Sequence, residues 1–130
     1  MNADKRPIRL IFDTSAVVAY TRGSIHTGEL LTEIDNEGGV VGLPTLCLTE
    51  AHWMVSDRDR LRLLIDHHAT AIVEPSADWA ALGALQDAIG ALDATAAMLS
   101  AIDEEGFVLT SRPILYGSID GGGLTIPIPL

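Results

Sequence analysis

The sequence predicts one α/β domain over residues 1–130, a three-layer α/β/α arrangement around a mostly parallel sheet of four to five strands. Three observations carry this prediction. Short apolar runs recur along the chain, each the length of a buried strand. Between them lie longer stretches whose apolar residues repeat at helical spacing, and such alternation is how crossover-connected parallel strands read. No internal repeat or linker interrupts the pattern, and the length suits a single core.

The elements follow in order. Ile8-Arg9-Leu10-Ile11-Phe12 is the first strand and ends at Asp13. Thr14 and Ser15 offer N-cap chemistry for a short helix, Ala16 to Tyr20, which Gly23 breaks. A second helix runs from Ser24 to about Asn36 on the stripe Leu30, Leu31 and Ile34, and Gly38-Gly39 stops it. Val40 to Leu43 is the second strand. Pro44 and Thr45 open a helix bearing Leu46, Glu50, Trp53 and Met54. Asp57 caps another, with Leu61, Leu64 and Ile65 as its buried stripe. Ala71 to Val73 is the third strand. Ser76 or Asp78 caps a helix through Ile89, and Gly90 separates it from an Ala-rich helix, Leu92 to Glu105, that Gly106 terminates. Phe107 to Leu109 is the fourth strand. Asp120 to Gly123 reads as a turn, and Leu124 to Ile126 as an edge strand.

With 48% apolar and 20% charged residues, the chain is globular rather than disordered. No apolar run approaches the roughly 20 residues of a membrane span. The polar start, Met1 to Pro7, does not resemble a signal peptide, and Cys47 is alone, so a cytoplasmic compartment is expected. Cys47 lies in an apolar stretch and reads as a small buried hydrophobe. The net charge of −10 cuts against easy nucleic-acid binding. Against it stand Lys5 and seven arginines, of which Arg58, Arg60 and Arg62 read as a solvated helix face.

In a parallel sheet the reactive crevice lies beyond the carboxyl ends of the strands, where Asp13 falls. Glu50, on the helix after the second strand, and Asp93, in the first turn of the helix before the fourth, are placed to join it. Carboxylates gathered there would repel unless a cation lay between them, and oxygen-only ligands favour magnesium or manganese. Taken singly, each has a structural role open to it. Asp13 could cap the following helix, Glu50 could sit on a solvated face, and Asp93 could complement its helix dipole.

Taken together, the motifs resemble the PIN domain family. Ile11-Phe12-Asp13-Thr14-Ser15-Ala16-Val17-Val18-Ala19 is similar to the family's opening motif, an aspartate ending strand one with a small hydroxyl residue two positions later. Leu48-Thr49-Glu50-Ala51 resembles its second acidic position, Leu92-Asp93-Ala94-Thr95-Ala96-Ala97 its third, and Phe107-Val108-Leu109-Thr110-Ser111 its closing strand. The resemblance covers nearly the whole chain. It implies a PIN-like fold and a metal-dependent endoribonuclease of the VapC type, the toxin of a toxin–antitoxin pair. The implied partners are RNA, an antitoxin and a second copy of the chain. By the same resemblance Asp13 and Asp93 bind Mg2+ or Mn2+, with Glu50 completing the site or holding a coordinated water. Ser15, Thr110 or Ser111 hydrogen-bond to the carboxylates or to phosphate.

Arg112 departs from the family, which often carries a fourth acid there. An arginine in the pocket competes with metal for the carboxylates, or contacts phosphate bidentately, unless Pro113 turns it to solvent. The alternative reading is thus a degenerate, non-catalytic PIN-like domain that acts through protein contacts. Other signals are weaker. His67 and His68, placed on a helix, are expected to diverge onto its surface, with His52 also exposed and His26 at a helix start. Trp53 and Trp79 are expected in the core, or else anchoring an interface. Gly117, Gly121, Gly122 and Gly123 lack the following helix of a phosphate loop and read as a turn. A phosphoacceptor domain would need a lysine late in the chain, and a haloacid-dehalogenase-like phosphatase would need an aspartate where Ser15 stands.

Overall fold

In a computed structural model, residues 6–129 are described. The polar start at Met1 to Lys5 and the terminal Leu130 lie outside the described residues. Five strands form one parallel sheet: β1 (Ile8–Phe12), β2 (Val40–Pro44), β3 (Thr70–Val73), β4 (Phe107–Thr110) and β5 (Thr125–Pro127), in the order β3-β2-β1-β4-β5. Helices α1 (Thr14–Thr21) and α2 (Ile25–Asn36) connect β1 to β2, and α3 (Thr45–Met54) with α4 (Arg58–Ile65) connects β2 to β3. Helices α5 (Trp79–Ile89) and α6 (Leu92–Asp103) return the chain to β4. The expected fold class is observed.

The central strand explains the layering. Alternate residues of β1 point to opposite faces. Leu10 and Phe12 pack with Val17, Leu31, Leu61 and Leu64 from the helices on one side. Ile11 packs with Met98, Ala97 and Ala101 of α6 on the other. All three strand residues are at most 2% exposed, so β1 is apolar on both faces, as a strand sandwiched between helix layers must be. The small residues of α6 allow it to lie close against the sheet.

Two local expectations are corrected. The cap of α1 is Asp13, the structural role left open for it, whose carboxylate accepts from Ala16 N; Thr14 and Ser15 do not cap. That frees both hydroxyls for other partners. At the end of α6, Glu105 takes the left-handed conformation (φ 55°). Its N–H bonds to Ile102 O and that of Gly106 to Ala101 O, the paired bonds of a Schellman ending. Gly106 is needed for a different reason. A Cβ there would stand 2.8 Å from the carbonyl oxygen of Arg9, on the neighbouring strand's backbone. We expect Gly106→Ala to destabilise the fold by about 1–3 kcal/mol, read as a lowered urea midpoint at unchanged slope.

Trp53 and Trp79 are also corrected: they are 72% and 81% exposed, not in the core. Each helix buries its small or aliphatic side against the sheet, Cys47 and Ala51 for α3 and Ile89 for α5. The indoles fall on the outer sides. His67 and His68 follow α4 in the loop before β3, and their rings stack at 4.7 Å instead of diverging. Arg58, Arg60 and Arg62 are each exposed on α4, as expected, with Arg58 and Arg62 on one side and Arg60 on another.

Candidate functional site

The strand order reverses at β1. The chain runs outward through β2 and β3, then crosses back to place β4 on the other side. A crevice therefore opens beyond the carboxyl ends of β1 and β4. Asp13, Glu50, Asp93 and Arg112 line one cavity there, with Trp53 and Met54 on its wall. Each acid arrives by a different route: Asp13 directly from β1, Glu50 from α3 and Asp93 from the first turn of α6.

Asp13 is the most constrained of them. It is 4% exposed and its carboxylate accepts three side-chain or backbone donors. Oδ1 takes Ser15 Oγ at 2.6 Å and Ala16 N at 3.0 Å, while Oδ2 takes the Tyr116 hydroxyl at 2.7 Å. Such convergence satisfies a buried carboxylate and fixes its rotamer. Burial, reinforced by the charge of Asp13, pushes the Tyr116 phenol far above its ordinary range, so its hydroxyl remains a donor.

Asp93 is held by the hydroxyl that Asp13's capping releases: Thr14 Oγ1 donates to Asp93 Oδ2 at 2.5 Å. Cys47 donates its thiol to the Asp93 carbonyl at 3.2 Å. It is the small buried hydrophobe expected, and burial, then the charge of Asp13, raises its thiol far above normal. It should resist thiol reagents at mildly alkaline pH in the folded chain and react once urea unfolds it, a contrast a timed labelling assay would read.

Glu50 stands apart. It is exposed, and its Oε2 accepts from the Trp53 indole N–H at 3.1 Å. The carboxylates of Asp13, Glu50 and Asp93 line one cavity but do not form a group whose donor atoms all lie within 4.8 Å of one another. The indole contact holds Glu50 to the wall. The donor set is nevertheless suited to a hard dication. It is oxygen-only, and Asp13 Oδ2 has a single protein donor, which leaves acceptor capacity for a cation.

The hydroxyl residues of the last strand play second-line parts. Thr110 is fully buried, lies 3.3 Å from Ser15 Oγ and accepts the N–H of Arg112 at 2.9 Å. Ser111 reaches Ser15 with its backbone N–H at 2.9 Å rather than with its hydroxyl. Arg112 is exposed and lines the cavity, and its guanidinium makes no hydrogen bond or ion pair among the described residues. Pro113 starts the 3-10 turn Pro113–Tyr116, and that turn carries Tyr116 beneath the site. Sequence reasoning missed Thr14 and Tyr116 as site residues. Thr14 was hidden behind its capping role, and nothing in Leu115-Tyr116-Gly117 signals a return to strand one.

The fold and cavity together define a doubly wound parallel α/β domain with carboxylates at its switch point. No protein-family model and no curated protein matches the sequence. Solved structures do share the fold. VapBC2 from Rickettsia felis, crystallised bound to a DNA fragment from its promoter, matches with a TM-score of 0.71 at 12% identity, covering 94% of this chain and 100% of that one. A toxin–antitoxin complex from Klebsiella pneumoniae matches with a TM-score of 0.65 at 16% identity, covering 92% and 98%. The architecture is the PIN-like fold expected from the sequence, and these two structures share it. No helix of the described residues is long and apolar enough to cross a membrane.

Proposed function

We propose that this chain is a metal-dependent endoribonuclease, the toxin of a cytoplasmic toxin–antitoxin pair, hydrolysing RNA phosphodiesters at the acidic cavity. The observation that carries the reading is the arrest of Asp13 by three donors at the bottom of a cavity also lined by Asp93 and Glu50. Burying a carboxylate in such a crevice is costly, and structural capping alone does not call for two further acids across from it. The fold shared with complexes of toxins and antitoxins supports an antitoxin partner. The exposed indoles of Trp53 and Trp79 support burial against that partner or a second copy.

In this reading Asp13 and Asp93 would hold Mg2+ or Mn2+, with Glu50 as a third or water-holding ligand. Such a dication, when bound, supplies Lewis acidity toward the phosphate and the attacking water. The chain's own residues do the positioning. Tyr116, Ser15 and Ala16 N fix Asp13, and Thr14 fixes Asp93, so neither carboxylate needs to reorganise as charge develops. Trp53 restrains Glu50 on the wall. Arg112, with its guanidinium uncommitted, would take a phosphate oxygen of the RNA. The test is cleavage of a structured RNA pool by the purified chain with magnesium or manganese, against the same reaction with chelator. Metal-dependent cleavage supports the proposal; none at saturating metal, with folding verified, overturns it.

A second reading has its own observation. Arg112 stands at the mouth of the cavity, and the three acids do not draw together as a tight cluster. A PIN-like domain that has lost catalysis and acts through protein contacts would look the same. It predicts tight partner binding that survives Asp13→Asn.

A further inference from the structure

We infer a second metal site, formed by Asp35, His67 and His68 and suited to a zinc-class transition-metal dication. It lies at the opposite rim of the sheet from the acidic cavity. Asp35 lies in the last turn of α2 ahead of β2, and the two histidines are separated from β3 only by Ala69, so all three sit at the amino ends of the strands. One donor atom from each residue lies within 4.8 Å of those from the others. Among the described residues no other group of three or more histidine, cysteine or carboxylate donors is gathered as closely.

The chemistry of the set is specific. Two imidazoles and a carboxylate favour zinc, nickel or copper, whereas magnesium prefers oxygen alone. His68 Nε2 already lies 2.8 Å from Asp35 Oδ2, the contact a cation would enter. The His67 ring stacks on that of His68 at 4.7 Å and 17° from parallel, so the second imidazole is close by but must swing out of the stack for both ring nitrogens to point at one ion. Arg6 donates to the His68 carbonyl and approaches Asp35 Oδ1 at 3.9 Å, orienting the carboxylate with Oδ2 toward the histidines. Two features oppose the metal and set its affinity below that of a closed four-ligand site. The Arg6 charge repels a dication, and Ala69 N donates to His67 Nδ1 at 2.9 Å. Coordination through His67 Nε2 therefore shifts the ring proton to Nδ1 and gives up that backbone bond. His68 is exposed while Asp35 and His67 are half-buried, so water completes the coordination on the open side. The bound ion would tie the end of α2 to the α4–β3 loop, two segments otherwise joined here by side-chain contacts.

The test titrates zinc into the full chain carrying Asp13→Asn, which weakens the acidic cavity, near neutral pH. The side-chain nitrogens of all four histidines are followed by NMR, and the thermal midpoint is recorded. The expected result is one zinc per chain, shifts confined to His67 and His68, and a raised midpoint. His68→Ala and Asp35→Asn should each weaken binding at least about tenfold, since both positions are accessible and neither change disturbs the core. Zinc that moves neither ring, binds His68→Ala as tightly as the parent, or is matched by magnesium overturns the site. None of these outcomes bears on RNA cleavage.

Discussion

Asp13→Asn should abolish RNA cleavage, by about a hundredfold or more, and should also lower stability. The activity loss follows from removing a charged metal ligand, which is at least as damaging as the 10- to 100-fold typical of changes one shell further out. The stability loss follows from donor counting. Asp13 accepts from Ser15 and Ala16 on one oxygen and from Tyr116 on the other. An asparagine has one oxygen, so its amide group must face either the Tyr116 hydroxyl or the pair at the α1 terminus. With the oxygen kept toward Ser15 and Ala16, the amide donates to the Tyr116 oxygen, but the Tyr116 proton then loses its buried acceptor, at a cost of roughly 1–3 kcal/mol. Asp13→Ala removes the cap as well, a further ~1 kcal/mol.

Measuring both quantities on one sample separates the roles. Tyr116→Phe keeps the Asp13 charge and its cap but deletes one donor. It should cost roughly 1–3 kcal/mol, since Asp13 Oδ2 loses its donor, and lower cleavage far less than Asp13→Asn. If Asp13→Asn loses stability alone, with cleavage unchanged, Asp13 is a structural cap and the proposed mechanism fails.

What was legible in the sequence has a physical pattern. The strands were readable because most of β1, β2 and β4 is buried by helices and so appears as short, largely apolar runs, with the exposed Arg9 the exception in β1. Asp57 and Asp78 were readable as caps because capping is a local interaction. Long-range contacts were not. Tyr116 meets Asp13 across a sequence separation of 103, and Thr14 meets Asp93 across 79. Helical spacing identified apolar residues on α3 and α5 without telling which side faced the sheet, so Trp53 and Trp79 were assigned inward. The stacked histidines were missed for a similar reason. The end of α4 falls one residue before Asp66, its C-cap, and a loop permits adjacent rings to align where a helix would splay them.

Arg112→Asp should raise metal affinity and weaken RNA binding in the same protein. The backbone at 112 is pinned, since its N–H donates to Thr110 Oγ1 and the 3-10 turn begins at the next residue. The substitution therefore alters charge with little movement of the chain. It changes the cavity by two units, replacing a cation that repels the metal with an anion that attracts it. Two unit charges about 8 Å apart interact by roughly 2 kcal/mol at an effective dielectric of 20, and exposure of this residue screens part of that. An increase in magnesium or manganese affinity on the order of tenfold is expected. RNA binding should shift the other way, because one phosphate contact is lost. The dependence of log affinity on log salt should become shallower by about 0.7, the value for one contact to a single strand. Arg112→Ala distinguishes the two effects: it shares the loss of phosphate contact but supplies no new ligand. If Arg112→Ala cleaves as well as Arg112→Asp and both exceed the parent, the arginine acts only as a competitor for the carboxylates. If both fall below the parent at saturating metal, its guanidinium belongs to the RNA.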